Sequence, residues 1–382
     1  MSFTGKATYS AGSTLPEIAE DVADLVAINS PHETPLLDAL GDAARVARST
    51  VHEWLEDALL PNSDTALDFD SGTAVLTVND AGNFRIGDQI VVGDGGGSGE
   101  VMLVDATNAG AGTIHVVRGY GGTTPGAVSA DDPIRILGNA ALEGADAPSP
   151  RFTSRARAQN VTQIFSSVVE VSGSELAVRQ VGVRDELDWQ KNQRLKELMR
   201  DLENCVINGV MPALNVQGSA TVRRTMRGIA SFVQSNRFSP GSGIPAGATL
   251  TEAQLNAALR NIWSGSSGQV DLIVVGGPEK RAINSFITSS RRYDASAETF
   301  KDAVSVYESD FGVCRVVLSR WVPAGTVLLL DSSRIDVMPL SGRSFHYKPL
   351  ATTGDRESGQ LIGEYTLEFR NETAHGVISG LG

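Results

Sequence analysis

The sequence is poor in cysteine and has neither a long apolar run nor a leader segment. Its two cysteines among 382 residues, Cys205 and Cys314, lie outside any CxxC or Cys/His spacing. A zinc site is therefore not expected, and both residues are predicted to be small buried hydrophobes. No window approaches the roughly 18 apolar residues that a membrane span needs, and the N-terminus lacks the basic-then-apolar order of a signal peptide. We expect a protein that stays in the cytoplasm of the cell that makes it, without membrane contact.

Side chains of the types that take part in catalysis, phosphate binding or metal binding do not form a recognisable motif in this sequence. The glycine-rich stretch 93–99 lacks the Lys-Ser/Thr of a phosphate-binding loop, and no Ser or Cys lies in a Gly-x-Ser-x-Gly elbow. The acidic turn residues have no EF-hand spacing and are interpreted as solvated turn carboxylates. The sequence therefore predicts no catalytic residue, no cofactor and no metal, and an enzyme is disfavoured. The five histidines lie singly, at His32, His52, His115, His346 and His375.

Positive charge is scarce in the first part of the chain. Residues 1–150 carry six Lys and Arg against 22 Asp and Glu, a balance of −16, whereas residues 151–382 carry 26 against 23, a balance of +3. An acidic segment repels phosphate backbones, so a protein that reads nucleic-acid sequence is not expected. The weakly basic remainder still permits non-specific contact with nucleic acid.

A Gly- and Asp-rich segment at 67–138 differs from its surroundings. It consists of five or six short alternating runs separated by Gly, Asn and Asp turns, a pattern that predicts a small β-barrel or sandwich. Its flanks, 51–66 and 139–171, have the extended pattern of two arms of one long β-hairpin. The sequence therefore predicts a compact domain inserted at the tip of a hairpin.

The rest of the chain predicts an α+β host for this insertion. Residues 1–50 form an arm bent at Pro31 and Pro35. A long amphipathic helix of about 25 residues begins near Val183 and ends at Gly209. Its first turn is acidic, which complements the positive end of the helix dipole. Further elements are predicted from capping boxes at 172–175 and 251–254, a buried strand at 270–275 and a run of strands from residue 334 onward.

The order of these parts, together with a series of short motifs, resembles one family. The motifs are TPLL at 34–37, HEWLED at 52–57, EGAD at 143–146, NVTQIF at 160–165, VSG at 171–173, ELMRDLE at 197–203 and NETAHG at 371–376. Arm, hairpin, long helix, α/β region and terminal strands together resemble the major capsid proteins of tailed bacteriophages, which share the Johnson fold (Hong Kong ninety-seven type). The resemblance spans nearly all of the chain outside 67–138.

The resemblance implies a fold and a function. It implies an N-terminal arm (1–50), an extended loop (51–66 and 139–171), a peripheral domain with a spine helix (172–214 and 335–382) and an axial domain (215–334). It also implies a subunit that forms the hexamers and pentamers of an icosahedral shell around double-stranded DNA, assembled in the host cytoplasm. The implied partners are a separate scaffolding protein, a portal protein and a cement or decoration protein. Since no lysine lies between Lys6 and Lys191, a lysine crosslink in the loop is not expected.

The same resemblance implies contacts between subunits. The hairpin would lie over the long helix of the adjacent subunit, so that its arginines meet acidic residues there. The insertion has two interpretations: a reinforcement of subunit contacts on the outer surface, or an addition without a binding role. The other classes considered are a tail or adhesin protein with the insertion as its ligand-binding module, and a hydrolase with a β-barrel substrate domain. The candidate inter-subunit residues are Trp54, Glu56, Arg151, Arg155, Arg157, Asp185 and Glu186.

Overall fold

The computed structural model describes residues 32–67, 72–93, 99–144, 146, 150–178, 185–286, 306–351 and 354–382. The chain divides into two compact units, one of Met1–Trp54 with Arg157–Gly382 and the other of Leu55–Ala156. Several sequence predictions lie outside the described residues: the helical spacing before residue 31, the bend at Pro31, the start of the long helix near Val183 and most of the glycine-rich stretch 93–99.

The larger unit is organised around one long helix and a four-stranded sheet. Helix α3 (Glu186–Asn208) is capped by the side chain of Asp185, which accepts the Asp188 N–H at 3.0 Å, and ends at Gly209. Its apolar stripe, which includes Leu198, Leu202 and Val206, is buried. The antiparallel strands of the sheet are β9 (Gln163–Ser172), β16 (Ile335–Pro339), β17 (His346–Pro349) and β18 (Arg356–Phe369).

The hairpin is shorter than the sequence predicts. Strand β1 (Val51–Glu56) pairs with β8 (Ala156–Val161), but β9, predicted as the rest of the return arm, pairs along its whole length with β18. The reason is the alternation of β9, which buries Phe165, Val169 and Val171 on one face. A strand in an isolated hairpin would leave those side chains in water, whereas pairing with β18 places them over α3.

A seven-stranded sheet forms the other side of the α3 core. Leu272 and Val274 face α3, whereas the alternate residues Ile273 and Val275 face a second core that contains helices α5 (Glu252–Gly265) and α6 (Gly277–Phe286). The C-terminal residues 376–378, predicted with the strands of 335–382, belong to this sheet instead. The strands, in spatial order, are β11 (Gly243–Ile244), β10 (Arg237–Pro240), β19 (Gly376–Ile378), β15 (Val327–Leu330), β12 (Leu272–Val275), β14 (Gly312–Leu318) and β13 (Val306–Ser309).

The remaining helices of the larger unit are short, and their N-termini follow local sequence rules. Ser172 caps α2 and Thr251 forms a full capping box with Gln254 at α5, as the sequence predicts. Pro35 occupies the first turn of α1, where its missing N–H costs nothing. The helices are α1 (Pro35–Leu40), α2 (Gly173–Ala177), α4 (Ile229–Phe232), α5 (Glu252–Gly265) and α6 (Gly277–Phe286), with 3-10 turns at Ala81–Asn83, Tyr120–Gly122, Ser332–Arg334 and Glu372–Ala374.

The smaller unit contains a closed β-barrel with a core of its own. Its strands run in the spatial order β2 (Ser63–Thr65), β7 (Pro133–Asn139), β4 (Asp88–Val92), β5 (Val101–Asn108), β6 (Thr113–Val117) and β3 (Val75–Thr77). The first and last strands meet, because Leu67 N–H donates to the Thr77 carbonyl at 3.0 Å and Asn79 N–H donates to the Thr65 carbonyl at 3.1 Å. The side chains that fill the barrel include Leu76, Ile90, Met102, Ile114 and Ile134.

Candidate assembly surfaces

Two buried carboxylates on β18 hold the base of the hairpin and the N-terminal arm against the sheet. Glu368 receives Arg45 of the arm at 2.7 Å, His52 of β1 at 2.5 Å and Arg370 at 3.3 Å. Four residues earlier, Glu364 is bound by the hydroxyl of Thr162 and by Arg224 and Arg343. Segments far apart in sequence therefore converge on one strand. We call these groups the β18 carboxylate network.

The electrostatics of Glu368 show that the charge of this carboxylate is well compensated. Burial alone would raise the pKa of Glu368, but hydrogen bonds from His52 and Arg45 outweigh that effect and lower the pKa from 4.5 to about 2. Glu368 is therefore ionised at neutral pH. Because a buried charge that loses its partner is costly, the network holds Arg45 of the arm and His52 of β1 against β18.

A third buried carboxylate joins the arm to α3 and to the seven-stranded sheet. Glu203 of α3 accepts the backbone N–H groups of Leu36 and Leu37 at 3.1 Å each, and the Ser319 hydroxyl at 3.2 Å. Burial raises the pKa of Glu203 and outweighs these hydrogen bonds, which act in the opposite direction. Residues Leu36 and Leu37 open α1, so Glu203 satisfies two N–H groups that have no partner within that helix.

The hairpin side of the smaller unit exposes large apolar side chains. Leu59 is 91% exposed and Phe152 is 85% exposed, and Leu55 and Leu142 are also mostly exposed. Isolated exposed hydrophobic residues are common on proteins, but here several lie in the two chain segments that lead to the barrel and back. This concentration is typical of a surface that another protein covers.

The predicted hairpin arginines differ in their surroundings. Arg155 and Arg157 are exposed, and their partners are the surface carboxylates of Asp57 at 3.8 Å and Glu53 at 3.4 Å. Exposed pairs of this kind are worth about 1 kcal/mol or less, so both guanidinium groups remain available to a stronger acceptor. Arg151 instead donates to the carbonyls of Gly82 and Asn83 at 2.7 and 3.3 Å, which ties it to a barrel turn of its own chain.

Two further candidates come from β1. Trp54 is 8% exposed and lies in the α3 core, with ring contacts to His52 and Phe232 at 5.9 and 6.1 Å. An indole packed in its own core presents little surface to a neighbour, and its role at a subunit contact stays a prediction. Glu56 is half-buried at the end of the same strand.

The acidic candidates Asp185 and Glu186 lie at the start of α3, beside a groove. Asp185 is the helix cap, and Glu186 accepts the side-chain amide of Gln190 at 2.7 Å. The groove encloses about 250 Å³ between α2, α3 and residues 169–172 of β9. Among the described strands only β18 pairs with β9, so the groove follows the unpaired edge of β9. Its charged lining residues are Glu170, Glu175, Glu186 and Arg194.

Sequence reasoning missed the groove, because its carboxylates come from three different elements. Glu170 lies on β9, Glu175 on α2 and Glu186 on α3, and only the fold brings them together. A partial signal existed in the alternation of β9, which turns Glu170 away from the buried face.

The described residues do not indicate other kinds of site. They contain no group of three or more His, Cys, Asp and Glu side chains placed to hold a metal ion. Within the same residues, no helix is both long and apolar enough to cross a membrane.

Comparison with known proteins identifies the family. The family model described as SU10 major capsid protein matches residues 3–382. The chain belongs to this family. No match was found among curated proteins. The protein is thus a major capsid protein, a subunit that self-assembles into an icosahedral viral shell, and the predicted identity and function are confirmed.

Solved capsid structures have the same fold despite low identity. A solved structure from Gordonia phage Cozz is 8% identical to this chain with a TM-score of 0.55, and the match covers 98% of both chains. The capsid of the native GTA particle is 9% identical to this chain with a TM-score of 0.54, and the match covers 100% of both chains. The capsid of Myoviridae phage XM1 is 11% identical with a TM-score of 0.54, covering 97% of this chain and 100% of that one. The predicted capsid fold is confirmed, and the capsid family offers no support for a tail protein or a hydrolase.

Proposed function

We propose that this major capsid protein forms its shell by docking the hairpin of one copy into the acidic groove of the next. In this arrangement the α3 helix with the four-stranded sheet is the peripheral domain, the seven-stranded sheet belongs to the axial domain, and residues 51–66 with 139–161 form the extended loop. The observation that carries the proposal is complementary charge: exposed Arg155 and Arg157 on the hairpin, and Glu170, Glu175 and Glu186 around the groove.

Backbone geometry supports the same partner. Residues 150–155, which include the exposed Phe152, have no regular secondary structure. An extended segment can lie along an unpaired strand edge such as that of β9, where its backbone hydrogen bonds give affinity and its side chains give specificity. Phe152 and Leu59 then bury their exposed surface against the neighbouring copy, which gives an apolar contribution that charge alone does not provide.

A charge exchange tests this contact. The double variant Arg155→Glu, Arg157→Glu and the double variant Glu175→Arg, Glu186→Arg are each expected to lower the yield of shells by about tenfold or more, since like charges would then meet. The four changes combined are expected to restore much of the yield. Shells are counted by negative-stain microscopy and by sedimentation of megadalton particles.

Arg260→Glu reverses an exposed arginine on α5 and serves as the matched control, with an expected yield near wild type. Unchanged shell yield in both double variants would show that the hairpin and the groove do not meet. If the unaltered chain formed tubes or small trimers instead of icosahedral particles, its assignment as a shell-forming subunit would be wrong.

The barrel is proposed to be an insertion that reinforces subunit contacts on the outer surface of the shell. It has a closed set of strands and a hydrophobic core of its own, as expected of a separate domain. The unit Leu55–Ala156 carries 14 Asp and Glu against five Lys and Arg, a balance of −9, which suits a surface that faces away from packaged DNA.

Deletion of the barrel tests that role. Because β2 begins at Ser63 and β7 ends at Asn139, the clean cut removes residues 63–139 and joins the hairpin arms with a short Gly-rich turn. Shells are expected to form, but to melt at a temperature lower by roughly 5–10 °C, because each subunit loses reinforcing contacts. Calorimetry of purified shells is the measurement, and wild-type heat resistance would assign no reinforcing role to the barrel.

We propose the remaining partners of the subunit from its function as a capsid protein. They are a separate scaffolding protein, a portal protein and, at the outer surface, a cement or decoration protein. Packaged double-stranded DNA is contacted non-specifically by the part of the chain after residue 150, whose charge balance is +3. Assembly takes place in the host cytoplasm, in hexamers and pentamers. Membership in a family of structural proteins supports a role without enzymatic activity.

A further inference from the structure

The barrel is connected to the strands β1 and β8 by two irregular segments. Residues 57–62 lead from β1 to the barrel, and residues 140–155 lead from the barrel back to β8. None of the described residues in these two segments belongs to a helix or a strand. Such segments have no ladder of backbone hydrogen bonds, so their conformation depends on individual contacts. The contacts of the segment just before β8 are therefore informative.

Arg151 joins this returning segment to a turn of the barrel. Its Nη2 donates to the carbonyls of Gly82 and Asn83 at 2.7 and 3.3 Å. These two residues end a 3-10 turn that begins at Ala81, and cationic side chains commonly bind the last carbonyls of a helical turn. Ala81 and Phe84, on either side of the acceptors, are buried in the barrel core. Arg151 therefore holds a point that is fixed to the barrel.

A second contact joins the same segment to the outgoing arm. The Thr153 hydroxyl donates to Asp57 Oδ2 at 3.1 Å, and Arg155 Nε lies 3.8 Å from the same oxygen. Asp57 directly follows β1. Residues 151–155 are thus bound at one end to the barrel and at the other to the arm that leaves β1. We call residues 151–155 the strut.

The strut carries side chains that are proposed to dock on the neighbouring copy. Phe152 directly follows Arg151 and is mostly exposed, and Arg155 is exposed apart from its long contact with Asp57. A segment binds more tightly when its bound conformation is already fixed, because less conformational entropy is lost on binding. The bonds of Arg151 restrict the backbone immediately before Phe152.

We infer that Arg151 is a positioning residue through which the barrel pre-organises the strut for docking on the neighbouring subunit. The barrel then strengthens the contact between subunits by holding a segment of its own chain in place. This gives the barrel a mechanism of reinforcement that acts through Phe152 and Arg155. The inference rests on the proposed docking of the hairpin on the next copy.

Limited proteolysis of the unassembled full-length subunit tests the bond to the barrel. Chymotrypsin cleaves after Phe152, at a rate that follows the fraction of time for which the strut is released. Arg151→Ala is expected to raise this rate about fivefold, because charge-assisted hydrogen bonds are lost. Arg151→Lys is expected to raise it less, since an ammonium group still donates to a carbonyl. Each rate is divided by that of a synthetic peptide with the same sequence, and mass spectrometry identifies the cleaved bond.

Arg135→Ala is the matched control, because it removes an exposed arginine from β7 of the same barrel. Its normalised cleavage rate is expected to equal that of the wild type. Equal rates for Arg151→Ala and the wild type would mean that Arg151 does not hold the strut, and would overturn the inference.

The melting temperature of shells tests the functional consequence. Shells of Arg151→Ala are expected to show roughly half of the decrease caused by deletion of residues 63–139, although the barrel is still present, whereas Arg135→Ala shells melt as the wild type does. Faster cleavage without a change in shell melting would overturn the role in docking. A lower melting temperature without faster cleavage would assign Arg151 to a direct contact with the neighbour and would also overturn the inference. Failure of the unaltered chain to form shells contradicts the proposed function instead.

Discussion

Glu368→Ala is expected to destabilise the subunit by about 3–5 kcal/mol, because removing one member of a buried charge network leaves the others uncompensated. The side chain is almost wholly buried, and it accepts hydrogen bonds from Arg45 and His52 at 2.7 and 2.5 Å. Its loss also removes the partner of His52 on β1. Urea unfolding of the unassembled subunit, followed by circular dichroism, measures the change.

The same strand provides the control for this prediction. Glu357→Ala removes an exposed carboxylate from β18, and its effect is expected to stay within about 0.5 kcal/mol, as for most surface changes. Glu368→Gln keeps the shape and some hydrogen bonding, so it is expected to fall between the two. Equal effects of Glu368→Ala and Glu357→Ala would mean that the network does not stabilise the subunit.

Acidification is expected to destabilise the subunit in the range from pH 6.5 down to about 4, through His375. Burial lowers the pKa of His375 from 6.5 to about 4. Its neutral ring accepts the Asp331 N–H at 3.1 Å, and the second ring nitrogen lies 3.3 Å from the Arg370 carbonyl. The unfolded chain therefore binds a proton that the folded chain excludes. The stabilisation is complete above pH 6.5 and is lost as the pH falls, by up to about 3 kcal/mol.

A variant isolates this histidine from other titrating groups. His375→Gln is expected to flatten the dependence of the free energy of unfolding on pH between 6.5 and 4.5. Glu368, whose pKa is lowered to about 2, contributes stability that is lost only as the pH falls below 4.5. The raised pKa of Glu203 has the opposite sign. An identical pH slope for His375→Gln and the wild type would contradict the assignment.

Local rules account for much of what could be predicted from the sequence. Hydrogen bonds between residues three apart determine the helix starts at Ser172 and Thr251, and Gly209 ends α3 where the sequence predicts. Alternation and turn residues likewise locate the barrel strands, since both depend on neighbours in the chain. The order of these elements, with the motifs between them, was enough to indicate the capsid family.

Contacts between distant residues could not be predicted in the same way. Trp54 was interpreted as a surface contact, but its neighbour Phe232 lies 178 positions away in the sequence. Arg151 is a candidate for a contact between subunits, and its hydrogen bonds to a turn 69 and 68 residues earlier in its own chain were not foreseen. The groove beside α3 likewise depends on β9 joining β18, a pairing between strands more than 180 residues apart in sequence.

The sequence by itself determined the family, the kinds of elements and their order, because periodicity, caps and turns act over a few residues. Only the tertiary structure decided which strand β9 joins and where the charges of the β18 carboxylate network meet. These features depend on which distant segments exclude water from one another. Burial and pairing at long range are properties of the whole packed chain, and no local pattern encodes them.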